Sequence, residues 1–288
     1  MPRIGIAGSL ITALFLLLAL AGDRVAPYPP AAAHYDRVLA EPSSQHWMGT
    51  DHLGRDLFSR LIAGTRTTLG LALAVAAANA ALALLVGSLC GFLGGRLDAI
   101  VMRIVDATLA LPGFLLAICF LGLFGGGIFH LFLFLVLTGW AQLARIIRNE
   151  ISIVRHLDYI TANASVGYST GRNLFRHALP AVLPSLLILL LNTLVGDVFA
   201  IVSLSFLGLG LSPQTPEWGI VLFDARSFFL TNPWLFVFPA LFIAVFTFGL
   251  HLLADGLREW LDAKKWLFPA EEVQLLTATA SASGSDTP

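Results

Sequence analysis

Six apolar stretches, each about as long as a bilayer is thick, dominate this chain. A helix needs about 20 mostly apolar residues to cross about 30 Å of hydrocarbon. Runs of that length fall at about 4–22, 67–95, 99–123, 128–145, 180–211 and 233–253. Charged residues are only 12% of the 288, hydrophobic residues are 57%, and mean hydropathy is +0.82. A water-soluble domain cannot hide that much apolar surface behind so few charges. The fold class is therefore an all-α polytopic membrane protein with six transmembrane helices. A net charge of −1 excludes a nucleic-acid binder driven by a basic field. Cys90 and Cys119 both lie in apolar runs without metal-ligand spacing, and read as buried small hydrophobes.

The first run has a rival reading as a cleaved signal peptide, with Arg3 before it and Ala19-Leu20-Ala21 as a cleavage site. Its length favours a retained helix. The expected organisation is a first transmembrane helix at 1–22 and an extracytoplasmic segment at 23–66. A core with five further helices follows at 67–262, then a cytoplasmic, disordered tail at 263–288 rich in Ala, Ser and Thr. Gly87, Gly91 and Gly95 recur every four residues, a spacing that lets two helix backbones approach closely in lipid. Pro112-Gly113 should kink the third span. Pro180 and Pro184 suit the first turn of the fifth.

Six spans put both termini on one side. That side holds 11 Lys and Arg and the other holds 6, which predicts cytoplasmic termini. Residues 145–177 then form a cytoplasmic loop. The chain has only two lysines, Lys264 and Lys265, and neither sits in a Gly-rich phosphate loop. Any ATP-driven work must come from a partner.

Several motifs carry a family resemblance. The cytoplasmic loop, from Asp158 through Pro180, resembles the coupling loop of ABC importer permeases. Ala162, Gly167, Leu179 and Pro180 match its pattern. Thr161 stands where Glu is usual and Asn163 where a second Ala is usual, so the contact of that glutamate is not implied. The segment His46 to Leu61, with Gly64, Arg66 and Leu69, resembles the hallmark of the peptide/nickel family, the dipeptide- and oligopeptide-type C subunits. Gly94 to Asp98 with Met102-Arg103, Ser205 to Gly210, Pro216 to Gly219 and Asp255 to Arg258 with Leu261-Asp262 match the same family in order.

The resemblance implies a type I ABC importer permease in a bacterial inner membrane. It implies as partners a homologous B-type permease, two ABC ATPase subunits that bind ATP-Mg, and an extracytoplasmic solute-binding protein. The chain itself would need no cofactor and catalyse no reaction. In this reading the coupling-loop residues are Thr161, Ala162, Asn163, Gly167, Arg176 and Pro180. Dipeptides or oligopeptides and nickel or metal chelates both stay open as substrates. The rivals are a stand-alone secondary transporter or channel, and a membrane scaffold.

Intramembrane polar residues are candidates for the translocation path. Asp197 is the only acid deep in the fifth run, Thr193 lies four residues earlier, and Asn192 stands beside them. Asn79 and His130 read as packing or interfacial residues. In the outer segment, Asp51 and Arg55 are four apart, as are Asp56 and Arg60, the spacing of intrahelical pairs. They read as a rigid collar, with Asp51 and Asp56 capping helix starts and Arg55 or Arg60 pairing with them, and direct contact with the binding protein is the alternative. His46 and His52 read as exposed histidines without a metal site.

Overall fold

The computed structural model describes residues 3–265. Ten helices account for almost all of its regular structure. They are α1 (Arg3–Val25), α2 (Leu57–Leu93), α3 (Gly95–Ala110), α4 (Gly113–Phe124), α5 (Ile128–Arg155), α6 (Asp158–Ser165), α7 (Thr170–Asn173), α8 (Leu179–Phe206), α9 (Trp218–Ala225) and α10 (Trp234–Lys265). Helices α1, α2, α5, α8 and α10 are long and apolar enough to cross a membrane. The expected third span is not one kinked helix. It is two, α3 and α4, bent by 82° at Leu111-Pro112, and it supplies a sixth crossing if the pair spans as a unit. Proline disfavours helical geometry in the residue before it. Leu111 is accordingly extended, at φ −89° and ψ 138°. The expected tail beyond Lys265 lies outside the described residues.

The second span is longer than hydropathy suggests. Helix α2 begins at Leu57, ten residues before the apolar run, and its 37 residues extend for about 55 Å. Asp56 sets that start. Its carboxylate accepts from the Ser59 amide at 2.8 Å and from the Ser59 hydroxyl at 2.7 Å, which caps the helix. Helix α5 likewise runs ten residues past the expected end of the fourth span.

Helix α2 packs along α5 through two of the three glycines. A Cβ on Gly87 would strike the Ala144 carbonyl, and one on Gly91 the Arg148 carbonyl. Gly95 has nothing near it and takes no part. Helix α1 packs on α10 by the same device, with Gly5 against Gly256 and Gly8 against Leu253. In lipid this matters because no hydrophobic drive pulls helices together, so close van der Waals contact must do it. Phe15 of α1 is buried, and its ring lies 4.8 Å from Phe242 and 5.0 Å from Phe246. Trp218 joins that aromatic cluster and donates its indole N–H to the Leu61 carbonyl at 3.2 Å. Cys90 is buried, but Cys119 is exposed on α4, against the expectation for both.

The segment between α1 and α2 folds onto the bundle end through buried charge. Asp51, Arg55, Arg60 and Asp224 form one cluster, and all four side chains are at least nine-tenths buried. Arg55 bridges Asp51 at 2.7 Å and Asp224 at 2.8 Å. Arg60 pairs with Asp51 and reaches Asp224 at 2.9 Å. Asp56 caps α2 as the collar reading expects, but the expected pairing is corrected in two ways. Asp51 and Arg55 lie in the loop before α2, so their pair is not intrahelical. Asp56 does not pair with Arg60 at all; it holds His46 Nδ1 at 2.8 Å, in the interior. His46 is therefore buried rather than exposed. Burial opposes ionisation of Asp51, but Arg60, Arg55 and the amides of Arg55 and Leu53 outweigh it and hold its carboxyl below the usual range. A depressed carboxylate stabilises the fold above the ordinary carboxylate range. That contribution is lost as pH falls through the lowered value.

Two outcomes are expected. Arg60→Met should destabilise the chain by about 3–5 kcal/mol, because it leaves two buried carboxylates sharing the single guanidinium of Arg55. Arg37→Met, which removes an exposed pair with Asp36, should cost under about 1 kcal/mol. Thermal unfolding in detergent compares the two, and equal losses would show that the buried cluster is not a lock. Gly91→Leu should force α2 off α5 at a cost of about 1–3 kcal/mol. Its readout is a lowered unfolding midpoint, with Gly70→Leu on the same helix as the variant that meets no neighbour.

Candidate functional site

Two places on the bundle combine polar chemistry with surface that this chain leaves open. The first is the connection from α5 to α8. Helix α6 is anchored by one residue, Ile160, which is buried in a cluster with Ile147, Ile151, Leu174, Ala178, Val182 and Leu186. Around that anchor the connection is exposed. Thr161, Ala162, Gly167, Arg176 and Pro180 are all on the surface, and Asn163 is half-buried.

Gly167 ends α6 at φ +89°, in the left-handed region, so the chain can turn there at little steric cost. The turn is closed by the Val166 amide donating to Ala162 at 3.2 Å and the Tyr168 amide to Asn163 at 3.0 Å. Ser169 then caps α7. Tyr168 is held between the His177 ring and the Arg172 guanidinium, which lies 4.8 Å from its centroid. A short π-helical turn, Leu174–Ala178, leads into α8, where Pro180 occupies the first turn. Val166 remains 75% exposed and Phe175 65% exposed.

The second place is a recess of about 350 Å³ between α2, α5 and α8. It contains the three path candidates, Asn192, Thr193 and Asp197. They share it with Asn79 of α2 and Gly139 and Gln142 of α5. Thr193 donates its hydroxyl to the Leu190 carbonyl, so its polar atom is partly satisfied within α8. Asn79 and Gln142 were not among the sequence candidates. Asn79 reads as a packing residue in an alanine run, and only the fold shows what faces it. Its amide weakly donates to the Leu135 carbonyl at 3.5 Å, and its Oδ1 has no partner.

A second recess, about 290 Å³, adjoins the first and shares Leu189 and Asn192 with it. Ser185, Glu150 and Arg258 line it further toward α6.

The remaining candidates, Asp51, Arg55 and Asp56, are structural in placement. They sit in the buried cluster and cap described above, at the bundle end opposite α6. Asp51, His52 and Asp224 bring possible metal-ligand atoms within 4.8 Å of one another. The Arg55 and Arg60 guanidiniums already bond both carboxylates, so a metal cation has no uncompensated charge to bind there. Glu217 is also structural. It is fully buried, caps α9 through the Gly219 and Ile220 amides at 2.8 and 3.0 Å, and its carboxyl is pushed up by burial.

Comparison with known proteins agrees with the architecture and the motifs. Residues 83–266 match the family described as binding-protein-dependent transport system inner membrane component. The nickel transport system permease protein NikC of Escherichia coli (strain K12) is 37% identical over 255 residues, covering 88% of this chain and 91% of that protein. The oligopeptide transport system permease protein OppC of Bacillus subtilis (strain 168) is 33% identical over 262 residues, 91% of this chain and 86% of the relative. The glutathione transport system permease protein GsiD of Pectobacterium atrosepticum is 35% identical over 263 residues, 91% and 87% respectively. Such permeases are inner membrane proteins that work with other permease, ATPase and binding-protein subunits. The stand-alone transporter reading falls away on this likeness. The chain belongs to the peptide/nickel family of ABC importer permeases and is a C-type membrane subunit of a binding-protein-dependent importer.

Proposed function

We propose that this subunit forms half of a translocation path for di- or oligopeptides or for nickel or a metal chelate, and that the α6–α7 connection transmits the ATPase stroke to it. The observation that carries the reading is the connection itself: Ile160, Asn173, Leu174 and Ala178 are buried beneath it, while the stretch from Thr161 to Arg172 keeps a mostly bare outer surface. A motif seated on the bundle with its outer face bare is suited to dock into a groove on a partner. Helices α5 and α8 leave it directly, so a displacement of α6 reaches the membrane core along two rigid rods. That is the structural requirement for alternating access by rigid-body motion.

In this assembly a homologous B-type permease supplies the other half, and two ATPase subunits bind ATP-Mg and hydrolyse it. An extracytoplasmic solute-binding protein delivers the cargo and sets most of the specificity. Both termini and α6 lie in the cytoplasm, and the 26–56 segment lies outside with α9. The charge asymmetry of the loops supports this orientation. The packing of α1 against α10 supports its retention in the mature chain.

The docking role predicts a specific defect. Gly167→Arg should assemble with its membrane helices intact but lose most cargo uptake, because bulk at the docking turn blocks close approach. Space around Gly167 is open within this chain, so no internal clash causes the loss, and Gly167→Ala carries the backbone strain of φ +89° without the bulk and separates the two. Gly167→Asn, whose side chain tolerates the left-handed region, should keep uptake. Normal uptake by Gly167→Arg would remove the coupling assignment.

Orientation is tested by cysteine labelling after replacing Cys90 and Cys119. A membrane-impermeant maleimide applied from outside should label Ser43→Cys and Gln214→Cys, which are exposed, and miss Thr170→Cys. Labelling of Thr170→Cys from outside would invert the topology.

A further inference from the structure

The recess between α2, α5 and α8 has a chemistry that its three sequence candidates alone do not show. Its polar lining comes from three helices: Asn79 from α2, Gln142 from α5, and Asn192, Thr193 and Asp197 from α8. It holds one acidic group, and no basic side chain lines it. The amides and the hydroxyl present oxygens as well as hydrogens, so they can solvate a cation as readily as an anion. The carboxylate decides the sign.

Two observations show a recess poised for a ligand rather than a packed polar contact. Asn79 is 2% exposed, and its Oδ1 has no partner, although a buried amide oxygen ordinarily finds one. Asp197 Oδ2 is buried without a partner as well. A carboxylate in a membrane-spanning helix is costly unless something positive meets it. Among the described residues no arginine, lysine or histidine lines the recess to do so.

Glycine keeps the recess open. A Cβ on Gly139 would collide with the Asn79 side chain, so glycine there makes room for the amide. A Cβ on Gly196 would meet nothing within 4 Å, and the space it would enter belongs to the recess.

The recess also leads somewhere. Leu189 and Asn192 line both it and the neighbouring recess. Asp197, Asn192 and Ser185 therefore mark a polar strip about 18 Å long on α8. Gln142 and Glu150, two turns apart on α5, run beside it. At its far end Glu150 and Arg258 carry opposite charges, so the single-signed charge sits at Asp197.

We propose that Asp197, with Asn79 and Gln142, forms a cation subsite in the translocation path that receives the positively charged part of the cargo. This rests on the permease reading above and names the chemistry that the path selects. A peptide presents a terminal ammonium and a nickel species presents a divalent cation. Both satisfy the same carboxylate and amide oxygens.

The test first uses a probe that does not depend on cargo or ATP. Asn192→Cys is placed in the full importer lacking Cys90 and Cys119. Its reaction rates with a cationic and an anionic methanethiosulfonate of similar size are compared at pH 8. Asp197 should favour the cationic reagent by about tenfold over the free-thiol ratio, as one nearby charge does at a partly shielded site. Asp197→Asn should abolish that preference and Asp197→Glu should retain it. Ser203→Cys, in an apolar groove of the same helix, should show none.

Uptake of nickel ion and of a dipeptide with a free or acetylated amino terminus then identifies the cargo charge. Loss confined to nickel in Asp197→Asn assigns the metal. Loss of the free dipeptide with the acetylated one spared assigns the ammonium. An unchanged reagent preference in Asp197→Asn overturns the subsite, whatever uptake shows. A complex that does not couple uptake to ATP would overturn the permease mechanism instead, and leaves the reagent ratio readable.

Discussion

Two arginines buried against two aspartates decide how this chain is put together at one end. Asp51 and Arg55 come from the loop before α2, Arg60 from the first turns of α2, and Asp224 from α9. No pair among them could be buried alone without a large desolvation cost, so the four hold one another in place. If the loop left, Arg60 would lose Asp51, and if α9 left, both arginines would have to share Asp51 alone. The Asp56 cap, its bond to His46 and the Trp218 indole bond to Leu61 add to the same junction. The 26–56 segment is thereby part of the bundle rather than a tether.

The lipid-facing body obeys a different rule. Close backbone approach replaces hydrophobic drive, with Gly87 and Gly91 of α2 against α5 and Gly5 and Gly8 of α1 against α10. Rigid contact along α2 and α5 matters for the proposed mechanism, since a displacement at α6 has to arrive undiminished at the recess. Arg148 fastens α3 to the same rod through Asp98, and Arg145 does so through Asp106. Asp98 and Asp106 are thus paired, while in the recess between α2, α5 and α8 Asn79 and Asp197 each retain an unpaired oxygen.

How much could be read beforehand depended on whether a feature was local. The α5–α8 connection is continuous in sequence, and a small-residue helix, a glycine turn and a restarting proline are visible as a string. Asp197 stood out because an acid in a long apolar run has no ordinary reason to be there. Asn79 and Gln142 did not stand out, since an amide among alanines looks like packing until the helix that faces it is known. The charge pairs were the reverse case. Four-residue spacing indicated Asp56 with Arg60, yet Asp56 turned to its own helix end and to His46, and Arg60 turned to Asp51 and Asp224.

Sequence alone determined the membrane class, the approximate number of crossings, the family and the place of the connecting loop. All of these follow from composition, run length and motif strings, which need no knowledge of neighbours. Tertiary structure decided where the helices begin and end, because caps and breaks are set by hydrogen bonds such as Asp56 to Ser59 and by the extended residue before Pro112. It decided that the outer charges are buried, because burial is a property of what covers a residue. It also brought Asn79, Gln142 and Asp197 into one recess. Residues 55 to 118 positions apart in a chain of helices meet only through packing, and no periodicity within one helix encodes which face of another it will find.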